Sequence, residues 1–244
     1  MNARTAKRFS PQLYARLAGA LYLYIIVAGL FAELFARGKL VVPTDAAATA
    51  GNILGNEGVF RLGFSGELVH VTVDVMVAVL LYALLRPVDR SVSLIAALMR
   101  VACAIVLAVS SLTHFAALRL LKGGEYLTGF SQEQLQQLAL LALKMQGDGY
   151  TIALLFFAFA CLALGYLIYR SGYLPKFLGV LMAIAGLCYL LNSLTHFLAP
   201  ALSARLFAVL FLPIFVAEAS LTLWLLVKGV DLAKWEERTR ALSA

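Results

Sequence analysis

His70, His114 and His196 are the 3 histidines of the chain. Two of them sit in one repeated pentapeptide, Ser111-Leu112-Thr113-His114-Phe115 and Ser193-Leu194-Thr195-His196-Phe197. A neutral imidazole gives one ring nitrogen to a metal and its other N–H to an orienting group. Three of them with a carboxylate therefore make a candidate zinc set: His70, His114 and His196 as ligands, Glu67 as base or orienting group, and water in the open position. Such a centre would suit hydrolysis of a lipid-like substrate. A second reading takes His114 and His196 alone as axial ligands of a b-type haem, with Arg119 or Arg205 meeting the propionates. A third is helix packing, with Ser, Thr and His bonding across helices in lipid and SLTHF used twice as a cassette.

Carboxylates accompany the histidines. Glu67, His70 and Asp74 are spaced to share one helical face. Glu33 and Asp148 fall at the same end of their segments as the histidines, so the five groups Glu33, Glu67, His70, His114 and Asp148, with His196, outline a polar cavity for a metal or a small ligand. Asp74, Arg100 and Glu218 form a separate, deeper set near mid-membrane. A lone charge there costs at least ~2.5–3.5 kcal/mol on insertion scales, so these groups should pair or face water. One reading is an ion-pair triad locking three helices. The other is a proton or ion path in which Asp74 and Glu218 titrate, which would make a small proton-coupled transporter.

The elements that must position these groups follow from composition. Hydrophobic residues are 62% of the 244, charged residues 14%, and the mean hydropathy is +0.89. A soluble domain shows roughly 45–50% and about 25%. Six apolar segments, about 17–36, 61–85, 92–118, 150–169, 174–198 and 205–227, are long enough to cross a hydrocarbon core about 30 Å thick. None alternates as a barrel strand does, so the expected fold is an all-α integral membrane bundle of six transmembrane helices. The stretch 131–146 places Leu135, Leu138, Ala142 and Met145 on one stripe behind a Ser131–Gln134 capping box, reading as an interfacial helix between spans three and four or as the early start of span four.

In such a chain the net charge of +7 reports orientation before it reports nucleic acid, and no nucleic-acid module is visible. Of the 20 Lys and Arg, those before span one, in the loops after spans two and four and after span six outnumber those opposite. The bias places both termini in the cytoplasm: 1–16 and 228–244 as cytoplasmic segments around a 17–227 membrane domain. The first apolar run is longer than a signal peptide's core of about 7–15 residues, so it reads as an uncleaved helix. Cys103, Cys161 and Cys188 all lie in spans without CxxC spacing and read as packing residues. Walker, GxSxG, GxGxxG and HExxH motifs are missing, and the Glu67–His70 spacing occurs once where a di-iron bundle needs it twice.

Residues 15–64, ARLAGALYLYIIVAGLFAELFARGKLVVPTDAAATAGNILGNEGVFRLGF, and 164–190, LGYLIYRSGYLPKFLGVLMAIAGLCYL, resemble the bacterial membrane family known as domain of unknown function 4386. The resemblance runs from about residue 13 to 227. It implies six helices in a bacterial membrane; a cytoplasmic membrane with its lipids as surroundings, and a small-molecule or lipid-like ligand, are expectations from the spans and the polar residues. It implies no catalytic residue and no cofactor.

Overall fold

Apolar runs decide where helices form, and polar caps decide where they stop. The computed structural model describes residues 10–241; Arg4, Lys7 and Arg8 of the expected cytoplasmic segment lie outside the described residues. Helix α1 (Pro11–Phe31) starts on the Ser10 hydroxyl, which accepts from Leu13 N, with proline in the first turn where its missing N–H costs nothing. It continues through a π-helical turn, Ala32–Arg37, into the short α2 (Gly38–Leu40). The wider turn closes because Gly38 has no Cβ, which would stand 2.8 Å from the Glu33 carbonyl oxygen. Then come α3 (Ala46–Gly55), capped by Asp45, and α4 (Glu57–Leu85). Asp89 caps α5 (Arg90–Lys122), and the Ser131–Gln134 capping box starts α6 (Gln132–Ser171). Helices α7 (Lys176–Leu198), α8 (Pro200–Val227) and α9 (Leu232–Ala241) complete the chain.

Six of these helices are long and apolar enough to cross a membrane. The protein is an all-α membrane bundle. The spans pack in chain order, α1 on α4, α4 on α5, α5 on α6, α6 on α7 and α7 on α8, and α8 closes the ring on α1. Lipid gives little hydrophobic drive between helices, so close backbone approach matters. At α6–α7 it depends on glycine: a Cβ on Gly165 would stand 2.7 Å from Gly179 O and 2.8 Å from Ala183 N. The ring surrounds a core that includes Tyr22, Val77, Leu84, Phe157, Leu167, Met182 and Leu221.

The stretch 131–146 is not a separate interfacial helix. It is the first part of the 40-residue α6, the early start of span four that the sequence left open. At about 1.5 Å per residue, α6 is about 60 Å long, twice a hydrocarbon core. Its N-terminal half, the end of α5 and the start of α4 project beyond the bundle with α3, around a second apolar cluster of Leu40, Ile53, Phe60, Leu118, Ala139 and Leu143. This is the distal end, opposite the chain termini. At the other end Tyr173 Oη (2.8 Å) and Trp235 Nε1 (2.9 Å) both donate to the Leu84 carbonyl, fastening α4 to the α6–α7 turn and to α9.

Candidate functional site: two buried polar layers

Between the two apolar clusters lies a chain of four side chains. Arg37, brought inward by the π turn, donates from Nη1 to Gln146 Oε1 at 2.6 Å. Gln146, buried on α6, donates from Nε2 to Glu67 Oε1 at 3.1 Å. His114 Nδ1, on α5, lies 3.0 Å from the same oxygen. The rings of Phe60 and Phe64 meet the imidazole edge-on, with centroids 4.3 and 6.0 Å away. Only 9% of His114 is exposed.

Valence decides what this layer can do. An ionised carboxylate only accepts, so a neutral His114 facing Glu67 carries its proton on Nδ1 and leaves Nε2 as a lone pair. Glu67 Oε1 already takes two donors. Among the described residues, Glu67 Oε2 and His114 Nε2 are buried without a hydrogen-bond partner. Glu67 Oε2 is an open acceptor, and with a neutral imidazole His114 Nε2 is a second; together they would take a proton donor or a cation.

The second SLTHF copy is wired differently. His196 Nε2 pairs with Asp148 Oδ1 on α6 at 2.9 Å, but this pair is largely solvated. Ser193 Oγ donates across helices to Thr151 O at 3.1 Å, whereas Ser111 Oγ bonds within its own helix, to Leu107 O at 3.0 Å. Both histidines thus meet a carboxylate of a neighbouring helix, one buried and one at the surface. Helices α5 and α7 flank α6 on opposite sides, so His114 and His196 belong to separate pairs. His70 lies one turn below Glu67 on α4, half-buried, and Glu33 is exposed on the π turn. No group of three or more His, Cys, Asp or Glu side chains that could hold a metal ion occurs among the described residues.

The second layer crosses the middle of the ring, where each of the six spans contributes one side chain. Asp74 (α4) and Arg100 (α5) are ion-paired: Nη2 lies 2.6 Å and Nε 2.8 Å from Asp74 Oδ1. Both stand about 15 Å from their helix ends nearest the termini, by ~1.5 Å per residue, which is mid-core. The guanidinium faces the rings of Tyr22 (α1, 4.4 Å) and Phe157 (α6, 5.0 Å). Phe157 meets Tyr189 (α7) edge-on at 5.3 Å, and Tyr189 Oη donates to Glu218 Oε1 (α8) at 2.6 Å. The expected triad is therefore one ion pair plus a carboxyl held by a phenol. On the terminus side of Arg100 is a narrow cavity bounded by Ala78, Tyr82, Ser93, Ala97 and Cys161. Its volume of ≈ 10 Å³ is roughly the space of one water.

Gln146, Arg37, Tyr22, Phe157 and Tyr189 are the members that the sequence reading did not single out. Only Gln146 left a trace, as an amide at the buried end of the apolar α6 stripe.

Six closely packed spans with two buried polar layers define a multi-pass α-helical membrane protein. The chain belongs to the family described as Domain of unknown function (DUF4386), whose model matches residues 17–229. A protein of Archaeoglobus fulgidus described as uncharacterized is 31% identical over 169 residues, which is 69% of this chain and 85% of that one. No solved structure matches the chain.

Proposed function

We propose that the protein is a membrane receptor or carrier site for a small polar ligand, bound at the distal end by Glu67 and His114. One observation carries the reading: two buried acceptor atoms of the same layer, Glu67 Oε2 and His114 Nε2, have no partner among the described residues. A buried unsatisfied acceptor costs about 1–3 kcal/mol, so a ligand that satisfies both binds to a site already organised around it. The ligand is a hydrogen-bond donor or a cation, such as a divalent metal ion or an organic ammonium. Glu67 orients the imidazole for it as a carboxylate orients a metal-bound histidine, and Gln146 holds Glu67 in place.

The same reading puts the distal end on the outer face of a cytoplasmic membrane and both termini in the cytoplasm, supported by the excess of Lys and Arg on the terminus side. The test titrates the purified full chain with Zn²⁺ and with ethanolamine, as wild type, Glu67→Gln and His114→Ala. Saturable binding of either probe by the wild type, lost in both variants, is expected. Wild type and variants that behave alike towards both probes would overturn the reading.

A further inference from the structure

The middle layer carries an inference independent of the distal site. It holds three charge-bearing groups, Asp74, Arg100 and Glu218, all at most 9% exposed. Arg100 meets Asp74 through both Nη2 and Nε. That leaves one charged group, Glu218, with no cationic side chain at ion-pairing distance among the described residues; its hydrogen bond comes from a neutral phenol, Tyr189. The groups around it are Tyr22 on α1, Asp74 on α4, Arg100 and Cys103 on α5, Tyr150 and Cys161 on α6, and Tyr189 on α7. Only Arg100 among them is cationic, and Asp74 neutralises it.

An ionised carboxylate in such a place would be a buried charge without a counter-charge, and proteins avoid this by neutralising the group. A carboxylic acid, unlike a carboxylate, also has a proton to donate. One turn along α8 from Glu218, Thr222 Oγ1 is fully buried and without a partner among the described residues. Asp74 and Glu218 are thus carboxyls with unlike partners in one layer, the first paired with the Arg100 guanidinium and the second bonded to the Tyr189 phenol.

We propose that Glu218 is a proton-binding site at the centre of the bundle. It rests as the un-ionised acid and gives up its proton when water enters the layer. When the proton leaves, the anion competes with Asp74 for Arg100. The ion pair joins α4 to α5 and Glu218 rides on α8, so proton occupancy biases how these helices sit against one another. Pro213, five residues before Glu218, removes an α8 hydrogen bond and lets that helix bend near the site. A proton-binding acid inside a bundle is what proton-coupled transport across a membrane requires.

Infrared difference spectroscopy of the full-length protein in detergent reads the protonation state directly. At neutral pH the wild type should show the C=O stretch of an un-ionised carboxylic acid, shifted in D₂O and absent from Glu218→Gln, which keeps an acceptor for Tyr189. A wild type without that band, or a band undiminished in Glu218→Gln, would overturn the proposal. If the variant does not fold, peptide mapping after dicyclohexylcarbodiimide treatment of the wild type decides. The reagent takes up the acid's proton on nitrogen while the carboxyl oxygen adds to its central carbon, so only a protonated, apolar carboxyl is modified. Adduct at Glu218 supports the proposal, and an unmodified Glu218 overturns it.

Discussion

Glu67 Oε1 accepts from His114 Nδ1 at 3.0 Å and from Gln146 Nε2 at 3.1 Å, so one oxygen ties α4 to both α5 and α6. The link sits where the membrane bundle gives way to the distal apolar cluster. Through Gln146 it also reaches Arg37 on the π turn. Four segments distant in sequence are held by one carboxylate.

Replacing Gln146 with Leu should therefore destabilise the protein more than its single amide suggests. It removes a donor from a half-buried carboxylate and an acceptor from Arg37, and hydrogen bonds to charged groups are worth ≈ 1.5–3 kcal/mol each. Asp148→Asn, which weakens the solvated partner of His196, should cost about 0–1 kcal/mol. Thermal unfolding in detergent compares the two. Equal losses would mean that the buried layer is not the stronger fastening.

The α6–α7 seam gives a second prediction. Gly165→Val puts a branched side chain where even a Cβ meets Gly179 O at 2.7 Å, and backbone cannot swing aside as a side chain can. Overpacking of this kind costs typically about 1–3 kcal/mol and occasionally more. Gly29→Ala on α1 is the control, since nothing stands within 4 Å of its Cβ position. There the loss of chain freedom in the unfolded state should make the protein more stable by ≈ 0.4–1 kcal/mol. The measurement is again the unfolding midpoint, and the two variants should move it in opposite directions.

Much of this architecture is legible in the sequence. Apolar runs of span length need no partner to be recognised, and the six spans stand. Their ends were less legible, because a span continues to its cap: Asp89 and Ser131 start α5 and α6 outside the apolar runs. Nothing in AELFAR announces the π turn, so Arg37 could not be aimed at Gln146. Depth was readable and direction was not. Asp74 pairs with Arg100, whereas Glu218 faces a tyrosine rather than the arginine, and spacing along a helix does not say which neighbour a side chain meets. Of the three histidines expected as metal ligands, His114 and His196 sit on helices that α6 separates.

The proposed orientation predicts opposite labelling at the two ends. In a background with Cys103, Cys161 and Cys188 replaced by Ala, a membrane-impermeant maleimide on intact cells should label Tyr126→Cys, a residue 72% exposed at the distal end. Lys234→Cys, on α9, should react only after permeabilisation. The reverse pattern would place the distal end in the cytoplasm and remove the outer-face reading of the Glu67–His114 site.

The Asp74–Arg100 pair yields the largest expected loss. Both side chains are 4% exposed, and the pair occupies the centre of the bundle. Asp74→Ala leaves an uncompensated buried guanidinium, a change that costs about 3–5 kcal/mol in measured cases. Removing both charges, as in Asp74→Leu with Arg100→Met, should recover most of that loss, because the desolvation of two ions disappears together with their attraction. Tyr22 and Phe157, which face the guanidinium at 4.4 and 5.0 Å, would then pack against the Met thioether. A double variant as unstable as Asp74→Ala would show that the pair fixes the helices by geometry, and that apolar contact cannot replace it.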